Sequence, residues 1–203
     1  THCISSAASD VYKRQAFNSV LPHIFSSQPA RLYDVGGNTG KWALRCCQYD
    51  ETVAVTILDL PEQVALARQN IASAGLSHRI DCHPIDMLSD APLPAEADVW
   101  WMSQFLDCFS PQQIVAMLSR VAEVMKPGSR LCILELFWDA QKFAAASFSL
   151  NATSLYFTCM ANGNSRFYSV ETFYHCLELA GFTVEKRVDG IGAGHTLLIC
   201  GKK

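Results

Sequence analysis

The sequence predicts an α/β fold: a doubly wound, mostly parallel sheet of seven strands that ends in an antiparallel hairpin. Two observations support this prediction. From about residue 16, apolar segments rich in β-branched residues alternate with segments of helical periodicity, which is typical of strand–helix–strand units with right-handed crossovers. Near the C-terminus the alternation stops, and two strand-like segments are joined by DGIGAG, a glycine-rich link that favours a hairpin.

The first half of the chain contains three predicted strands and two predicted helices. The segment KWALRCCQY can form a helix after the first strand, and a second helix is predicted from Pro61 to Gly75. Proline is favoured in the first turn of a helix and glycine just past its end. The three strands are RLYDVG (31–36), VAVTILDL (53–60) and RIDCHPID (79–86).

The second half supplies the other four strands and the clearest helix. That helix begins after Ser110, which forms a predicted capping box with Gln113, and Pro111 occupies its first position. Two more helices are predicted at about 144–161 and 170–180. The four strands are 97–104, 130–138, 183–188 and 195–201.

Composition, charge and cysteine spacing limit the classes of function that this chain can have. The chain has 203 residues, 17% of them charged, and a net charge of −3, which suits one soluble domain and not a nucleic-acid-binding protein. No apolar run approaches the roughly 18 residues of a membrane span. We therefore expect a cytoplasmic protein with no nucleic-acid or membrane partner. The nine cysteines include no CxxC pair, so we expect no metal site.

The N-terminal segment has a separate origin in our interpretation. The sequence DVYKRQ, residues 10–15, resembles the translation of a transposon adapter used to prepare sequencing libraries. We expect residues 1–15 to be an assembly artefact and residues 16–203 to be the genuine domain, with an upstream part missing.

The segment YDVGGNTGKW (33–42) predicts a ligand-binding loop. It does not fit the triphosphate motif GxxxxGK[ST], because the first glycine would be Val35 and the final hydroxyl residue would be Trp42. It does not fit GxGxxG either, because the required glycines fall at Asn38 and Lys41. A dinucleotide is therefore disfavoured, and an adenosyl ligand or a simple tight turn stays open.

Two further acidic positions follow the next strands. Asp59 ends the second predicted strand, and the pair Asp86–Met87 ends the third. A carboxylate after the second strand can accept both hydrogen bonds of a ribose diol, whether the ligand is NAD or an adenosyl compound. An acid followed by methionine suits an adenine, which needs an acceptor for its amino group and an apolar cover for its ring.

Taken together, these motifs resemble those of the S-adenosylmethionine-dependent O-methyltransferases related to plant phenolic and bacterial polyketide methyltransferases. The segments LYDVGGNTG, ILDLPEQVALAR, IDML and VAEVMKPGSRLCILE carry the resemblance. It implies a Rossmann-like methyltransferase sheet, S-adenosyl-L-methionine as cofactor, and a homodimer in the full-length protein, whose dimerisation domain would lie upstream. The family often has lysine where this chain has Ser103. The cofactor-binding set it implies is Gly36, Gly37, Gly40, Asp59, Leu60, Asp86, Met87 and Ser103.

The resemblance also exposes a departure at the catalytic position. The family's histidine base aligns with Asp107, whereas Glu135 matches one of its flanking acids. Asp107 is interpreted as a base or a substrate anchor, with a helix-entry carboxylate as the alternative, and Glu135 as an orienting or a structural acid. His175 and His195 are expected to be structural. Residues of the acceptor pocket are predicted to be Phe105, Tyr156, Met160, Asn162 and Arg166.

The predicted function is methyl transfer from S-adenosyl-L-methionine to an oxygen of a small aromatic or hydrophobic acceptor. Two alternatives remain at this stage. One is an NAD(P)-dependent oxidoreductase on a similar sheet, and the other is a non-catalytic domain that binds S-adenosylmethionine.

Overall fold

The computed structural model describes residues 7–160 and 163–203. Within these residues the chain forms one seven-stranded sheet in the order β3-β2-β1-β4-β5-β7-β6. Its strands are β1 (Arg31–Val35), β2 (Ala54–Asp59), β3 (Ile80–Pro84), β4 (Val99–Ser103), β5 (Arg130–Glu135), β6 (Phe182–Ile191) and β7 (His195–Lys202). The helices are α1 (Ala7–Ile24), α2 (Lys41–Tyr49), α3 (Pro61–Ser73), α4 (Pro111–Val124), α5 (Ala144–Met160) and α6 (Val170–Leu179).

The strand directions confirm the predicted fold class. Strands β1 to β5 pair in parallel, whereas β7 runs antiparallel to both β5 and β6. The chain proceeds outward from β1 to β3 and then returns to the other side of β1 with β4. Open α/β sheets bind ligands at this kind of switch point, outside the carboxyl ends of the strands.

Helices cover both faces of the sheet, which explains why the parallel strands are apolar on both sides. In β4, Trp101 packs in the cluster that includes α1, α2 and α3, and Trp100 and Met102 pack in the opposite cluster with α4 and α6. All three of these side chains are fully buried. The sheet therefore lies between two apolar layers and presents its carboxyl edge to ligands.

The start of α4 confirms the capping box. The Ser110 hydroxyl accepts from the backbone N–H of Gln113 at 3.3 Å, and the Gln113 side chain accepts from the Ser110 N–H at 2.9 Å. Such a cap stabilises a helix by about 0.5–2 kcal/mol. It also sets the point at which the chain leaves the β4 loop, which carries several predicted site residues.

Helix α1 was not predicted, because residues 1–15 were set aside and Pro22 interrupts the remaining pattern. Its second half packs firmly: Phe17, Val20, Leu21 and Ile24 are buried in the core. Phe17 contacts the Trp42 ring edge-on, with ring centroids 4.9 Å apart. This contact brings α1 to the side of the glycine loop.

Helix α5 was predicted, but its environment differs from that of a core helix. None of its residues is buried, and Phe148, Tyr156 and Met160 are 76%, 58% and 69% exposed. The helix contains no charged residue. A helix that is apolar all round usually lies buried against other elements. Across the described parts of the chain, no helix is both long and apolar enough to span a membrane.

Candidate active site

The glycine loop between β1 and α2 uses left-handed backbone geometry. Gly36, Asn38 and Gly40 have φ values of 70°, 50° and 77°, a region in which glycine is unstrained and asparagine is the best-tolerated alternative. The Gly36 N–H donates to the Leu58 carbonyl at 2.8 Å, which ties the loop to β2. The loop therefore turns sharply at the carboxyl edge of the sheet.

Packing requires glycine at two positions of this loop, Gly36 and Gly37. A Cβ atom on Gly36 would lie 2.3 Å from Cδ2 of Phe105, and one on Gly37 would lie 2.6 Å from Oδ2 of Asp34. Neither distance is compatible with a side chain unless the neighbour moves. Gly36 thus supports the Phe105 ring, and Gly37 covers the buried Asp34 carboxylate.

Asp59 holds the loop from the second strand. Its Oδ2 accepts from the Asn38 N–H at 2.8 Å, and its Oδ1 accepts from the Leu60 N–H at 2.7 Å. Burial raises the pKa of the Asp59 carboxyl, and these two hydrogen bonds oppose that rise. A carboxylate has about four acceptor positions, so two remain for a ligand on this half-buried side chain. The predicted diol-binding residue has suitable acceptors.

The predicted adenine pair divides into a buried and an exposed partner. Met87 is 5% exposed, whereas Asp86 lies at the surface. The Asp86 carboxylate accepts from the Leu88 N–H at 2.9 Å, and Arg120 donates to the Met87 carbonyl at 2.8 Å. The turn after β3 is therefore fixed by its own hydrogen bonds, with the acid accessible and the thioether packed beneath it.

Ser103 ends β4 and lines a small cavity beside the glycine loop. Its hydroxyl is buried and has no hydrogen-bond partner among the described residues. Two tryptophans of the same wall, Trp42 and Trp101, stack with ring centroids 4.2 Å apart. The cavity is lined by Phe17, Asp34, Gly36, Gly37, Asn38, Thr39, Lys41, Trp42, Trp101 and Ser103.

The sequence prediction missed several of these wall residues, Asp34 above all. Asp34 is 2% exposed and lies in β1 opposite Trp101 of β4. An acid within a predicted buried strand was the available signal, because buried carboxylates are rare without a structural or functional partner. Phe17 and Trp42 could not be assigned, because only the contact between α1 and α2 brings them to the loop.

Glu135 anchors the loop that follows β4. This residue ends β5, is 2% exposed, and its Oε1 accepts from the backbone N–H groups of both Phe105 and Leu106 at 3.0 Å. A buried carboxylate needs such donors to offset the loss of hydration. Through these two hydrogen bonds Glu135 fixes the chain just before Asp107.

Asp107 lies in a single turn of 3-10 helix, Leu106–Cys108, and is half-buried. Its carbonyl oxygen accepts from the Arg166 N–H at 2.9 Å. The Tyr168 hydroxyl donates to the Phe109 carbonyl, and burial raises the pKa of Tyr168 to about 12.

Several ionisable groups lie near enough to Tyr168 to act on its pKa. Arg166 acts to lower the pKa of Tyr168, whereas Asp107 and Glu135 act to raise it further. Asp107, Glu135 and Arg166 therefore all lie within electrostatic reach of Tyr168. Tyr168 was not predicted, since nothing near it in sequence marks it as a site residue.

The predicted acceptor residues fall into two groups. Phe105 lies between Gly36 and the Phe109 ring, whose centroid is 5.0 Å away, while the Arg166 side chain is exposed. Tyr156 and Met160 lie exposed on α5. Asn162 lies outside the described residues. His175 is exposed, and His195 is buried at the start of β7.

Helix α5 is tied to the segment that carries Arg166. The Ser154 hydroxyl accepts from the Phe167 N–H at 3.0 Å, and the Thr158 hydroxyl donates to the Ser165 carbonyl at 3.3 Å. The exposed face of α5 is thus linked to the Asp107 neighbourhood through one short segment. No group of three or more His, Cys, Asp or Glu residues that could hold a metal occurs among the residues described.

Comparison with known families decides the affiliation. The family model for the O-methyltransferase domain matches residues 9–183. The chain belongs to this family. The resemblance drawn from the sequence motifs is thereby confirmed.

Individual relatives of this O-methyltransferase-family domain are distant but consistent. It is 33% identical over 124 residues to the 3-hydroxy-5-methyl-1-naphthoate 3-O-methyltransferase of Streptomyces sahachiroi, a match that covers 60% of the chain and 36% of the relative. It is 27% identical over 179 residues to the L-tyrosine C(3)-methyltransferase of Streptomyces lavendulae, covering 87% and 48%. The solved structure of the mitomycin 7-O-methyltransferase MmcR superposes with a TM-score of 0.84 at 25% identity, covering 97% of the chain and 56% of that protein.

The domain therefore spans about half, or less, of the length of these relatives. The matched part contains the glycine loop, Asp59, Asp107 and Glu135. The activities named for these relatives belong to proteins considerably longer than this chain.

Proposed function

We propose that this domain is the catalytic half of a methyltransferase that moves a methyl group from S-adenosyl-L-methionine to an oxygen of a small aromatic acceptor. One observation carries the proposal: the left-handed glycine loop is tied to Asp59, which is half-buried and keeps acceptor positions for a diol. Family membership is consistent with this chemistry, and the residues present fit the cofactor.

Each predicted cofactor residue has a role compatible with its surroundings. In the proposal, Asp59 and Leu60 hold the ribose, and Gly36, Gly37 and Gly40 let the backbone approach the methionine part. Asp86 and Met87 hold the adenine, and the buried Ser103 hydroxyl faces the methionine end. When bound, the cofactor supplies a sulfonium, which is an intrinsically activated methyl donor.

The acceptor is proposed to lie over the loop between β4 and α4. Phe105 and Phe109 form an aromatic edge next to Gly36. The Arg166 guanidinium lies 6.0 Å from the centre of the Tyr168 ring and adds positive charge, and the Arg166 N–H donates to the Asp107 carbonyl. The relative from Streptomyces sahachiroi is named for a hydroxynaphthoate, a planar anion with a phenolic hydroxyl. An acceptor of that class would match both the aromatic edge and the arginine.

An ordinary aspartate is a weak base for this reaction. A phenol ionises near pH 10 and a carboxyl near pH 4, so full proton transfer to Asp107 would cost about 8 kcal/mol. Positioning of two reactants can contribute about 7–11 kcal/mol, whereas a general base adds about 10²–10⁴-fold. We therefore propose that Asp107 orients the acceptor hydroxyl and that the best acceptors ionise readily by themselves.

The full-length protein is proposed to act as a homodimer in which α5 is covered. This helix has no buried residue and no charge, and it adjoins the segment around Arg166. Leaving such a helix exposed is unfavourable, since each buried apolar Å² contributes about 25 cal/mol. Sedimentation of the full-length protein would test this part; a monomer at micromolar concentration would contradict it.

Calorimetric titration of the chain with S-adenosylhomocysteine and, separately, with NAD tests the cofactor proposal. We expect one molecule of S-adenosylhomocysteine to bind and NAD not to bind. Binding of NAD alone would favour an oxidoreductase and overturn the proposal. Binding with no turnover by the full-length protein would favour a non-catalytic domain.

Transfer of labelled methyl groups by the full-length protein tests the chemistry. The acceptor panel holds phenols of graded acidity and hydroxynaphthoic acids, and mass spectrometry distinguishes O- from C-methylation. We expect Asp107→Asn to lower turnover and to alter the pH–rate profile, and the exposed-acid control Asp90→Asn to change neither. Wild-type turnover together with an unchanged pH–rate profile in Asp107→Asn would remove Asp107 from the mechanism.

A further inference from the structure

Gln104 has an unusual backbone conformation for its position. It follows the last residue of β4 and precedes Phe105, and its φ is 45°. A residue other than glycine is uncommon in the left-handed region and persists there only where its surroundings enforce it. Its backbone N–H donates to the Leu134 carbonyl at 2.9 Å, which fixes one side of the residue.

The other side of Gln104 is fixed by a buried histidine. The Nε2 atom of Gln104 lies 2.7 Å from the Nε2 atom of His195, which is 1% exposed at the start of β7. In the next register position, Thr196 pairs with Glu135, the residue that binds the N–H groups of Phe105 and Leu106. His195 of β7 therefore contacts Gln104, and Glu135 of β5 binds the next two residues of the same loop.

The chemistry of this contact assigns the histidine proton. An amide NH2 can only donate, so the ring nitrogen that faces it must be unprotonated and accept. In this orientation of the Gln104 amide the His195 ring is neutral, with its proton on Nδ1. This arrangement predicts a tautomer that can be measured independently of any activity.

We propose that His195 is a positioning residue: it holds Gln104 in the left-handed conformation and so sets where Phe105 and Asp107 lie. The consequence of a shift is direct, because Phe105 already contacts Gly36 so closely that a Cβ atom there would lie 2.3 Å from its ring. A rotation at Gln104 would move the Phe105 ring relative to the glycine loop and carry Asp107 with it. The effect on methyl transfer rests on the proposed function, whereas the effect on the loop does not.

Hydrogen–deuterium exchange of the peptide spanning 103–110 in the full chain tests the proposal. His195→Leu fills the buried position with an apolar side chain but removes the acceptor. We expect exchange of this peptide to rise by about tenfold, without a similar rise elsewhere. His195→Gln offers an amide oxygen near the Nε2 position, and we expect it to restore protection to within about threefold. The exposed His175→Leu is the control and should change nothing in this peptide.

A double-mutant cycle separates positioning from general destabilisation. Glycine tolerates φ of 45° without support, so in a Gln104→Gly background His195→Leu should have no additional effect on the peptide. Equal effects of His195→Leu in both backgrounds, or faster exchange spread over the whole chain, would overturn the proposal. Imidazole nitrogen shifts that place the proton of His195 on Nε2 would also contradict the contact as described.

Discussion

Replacing Gly36 with alanine tests the packing at the centre of the proposed site. Gly36 has φ of 70°, so alanine there incurs about 1–2 kcal/mol of left-handed strain. The new Cβ would also lie 2.3 Å from the Phe105 ring, and such overpacking typically costs about 1–3 kcal/mol. We expect Gly36→Ala to lower the free energy of unfolding by about 2–5 kcal/mol in urea titration.

The chain offers a closely matched control for this variant. Gly75 has φ of 71°, but a Cβ atom there meets nothing within 4 Å. Gly75→Ala therefore carries the strain without the clash and should cost only about 1–2 kcal/mol. In calorimetry Gly36→Ala should also weaken the binding of S-adenosylhomocysteine at least about tenfold, whereas Gly75→Ala should leave that affinity unchanged. Equal losses of stability in the two variants would show that Phe105 does not press on Gly36.

Three further predictions concern carboxylates. Glu135→Leu leaves one buried and one partly buried backbone N–H group unpaired, at about 1–3 kcal/mol for a buried group. Its thermal midpoint should therefore lie well below that of Glu135→Gln, which keeps an acceptor oxygen, and equal midpoints would contradict the anchoring role. Asp59→Asn turns an NH2 group toward one of the two N–H groups that Asp59 now accepts, and calorimetry should show S-adenosylhomocysteine binding weakened at least about tenfold. Burial alone would raise the pKa of Asp98, but the Lys126 ammonium and backbone N–H groups outweigh it and lower that pKa below 3.8. An acid with a lowered folded-state pKa adds stability above its unfolded pKa and loses that stability as pH falls through the folded pKa. In urea titration Asp98→Asn should therefore be less stable than wild type at pH 7, and the difference should shrink below about pH 4. A difference that stays constant with pH would refute this prediction.

The sheet could be predicted from sequence because its determinants are local. Each parallel strand is a short apolar run, and proline, glycine and the capping box at Ser110 mark the helix ends. Asp59 ends β2 as the alternation predicted, whereas β3 ends at Pro84 and the pair Asp86–Met87 lies just beyond it. Such signals lie within a few residues of the feature that they predict.

The interior of the site could not be predicted because its contacts join distant segments. Phe105 lies on Gly36, and Glu135 binds the loop before Asp107, across separations that no spacing rule reveals. Asp34 was overlooked because a strand pattern gives two faces without saying which one meets the cavity. The exposure of α5 was equally hidden, since an apolar sequence predicts burial.

The hydrogen bond from Asn38 of the glycine loop to Asp59 has a kinetic consequence. Contacts within the chain itself fix the conformation of the loop. A nucleoside that binds there therefore does not have to order a turn or break a backbone hydrogen bond. Association with such a preorganised edge loses little conformational entropy. We therefore expect differences in affinity among adenosyl ligands to appear mainly as differences in how fast they leave.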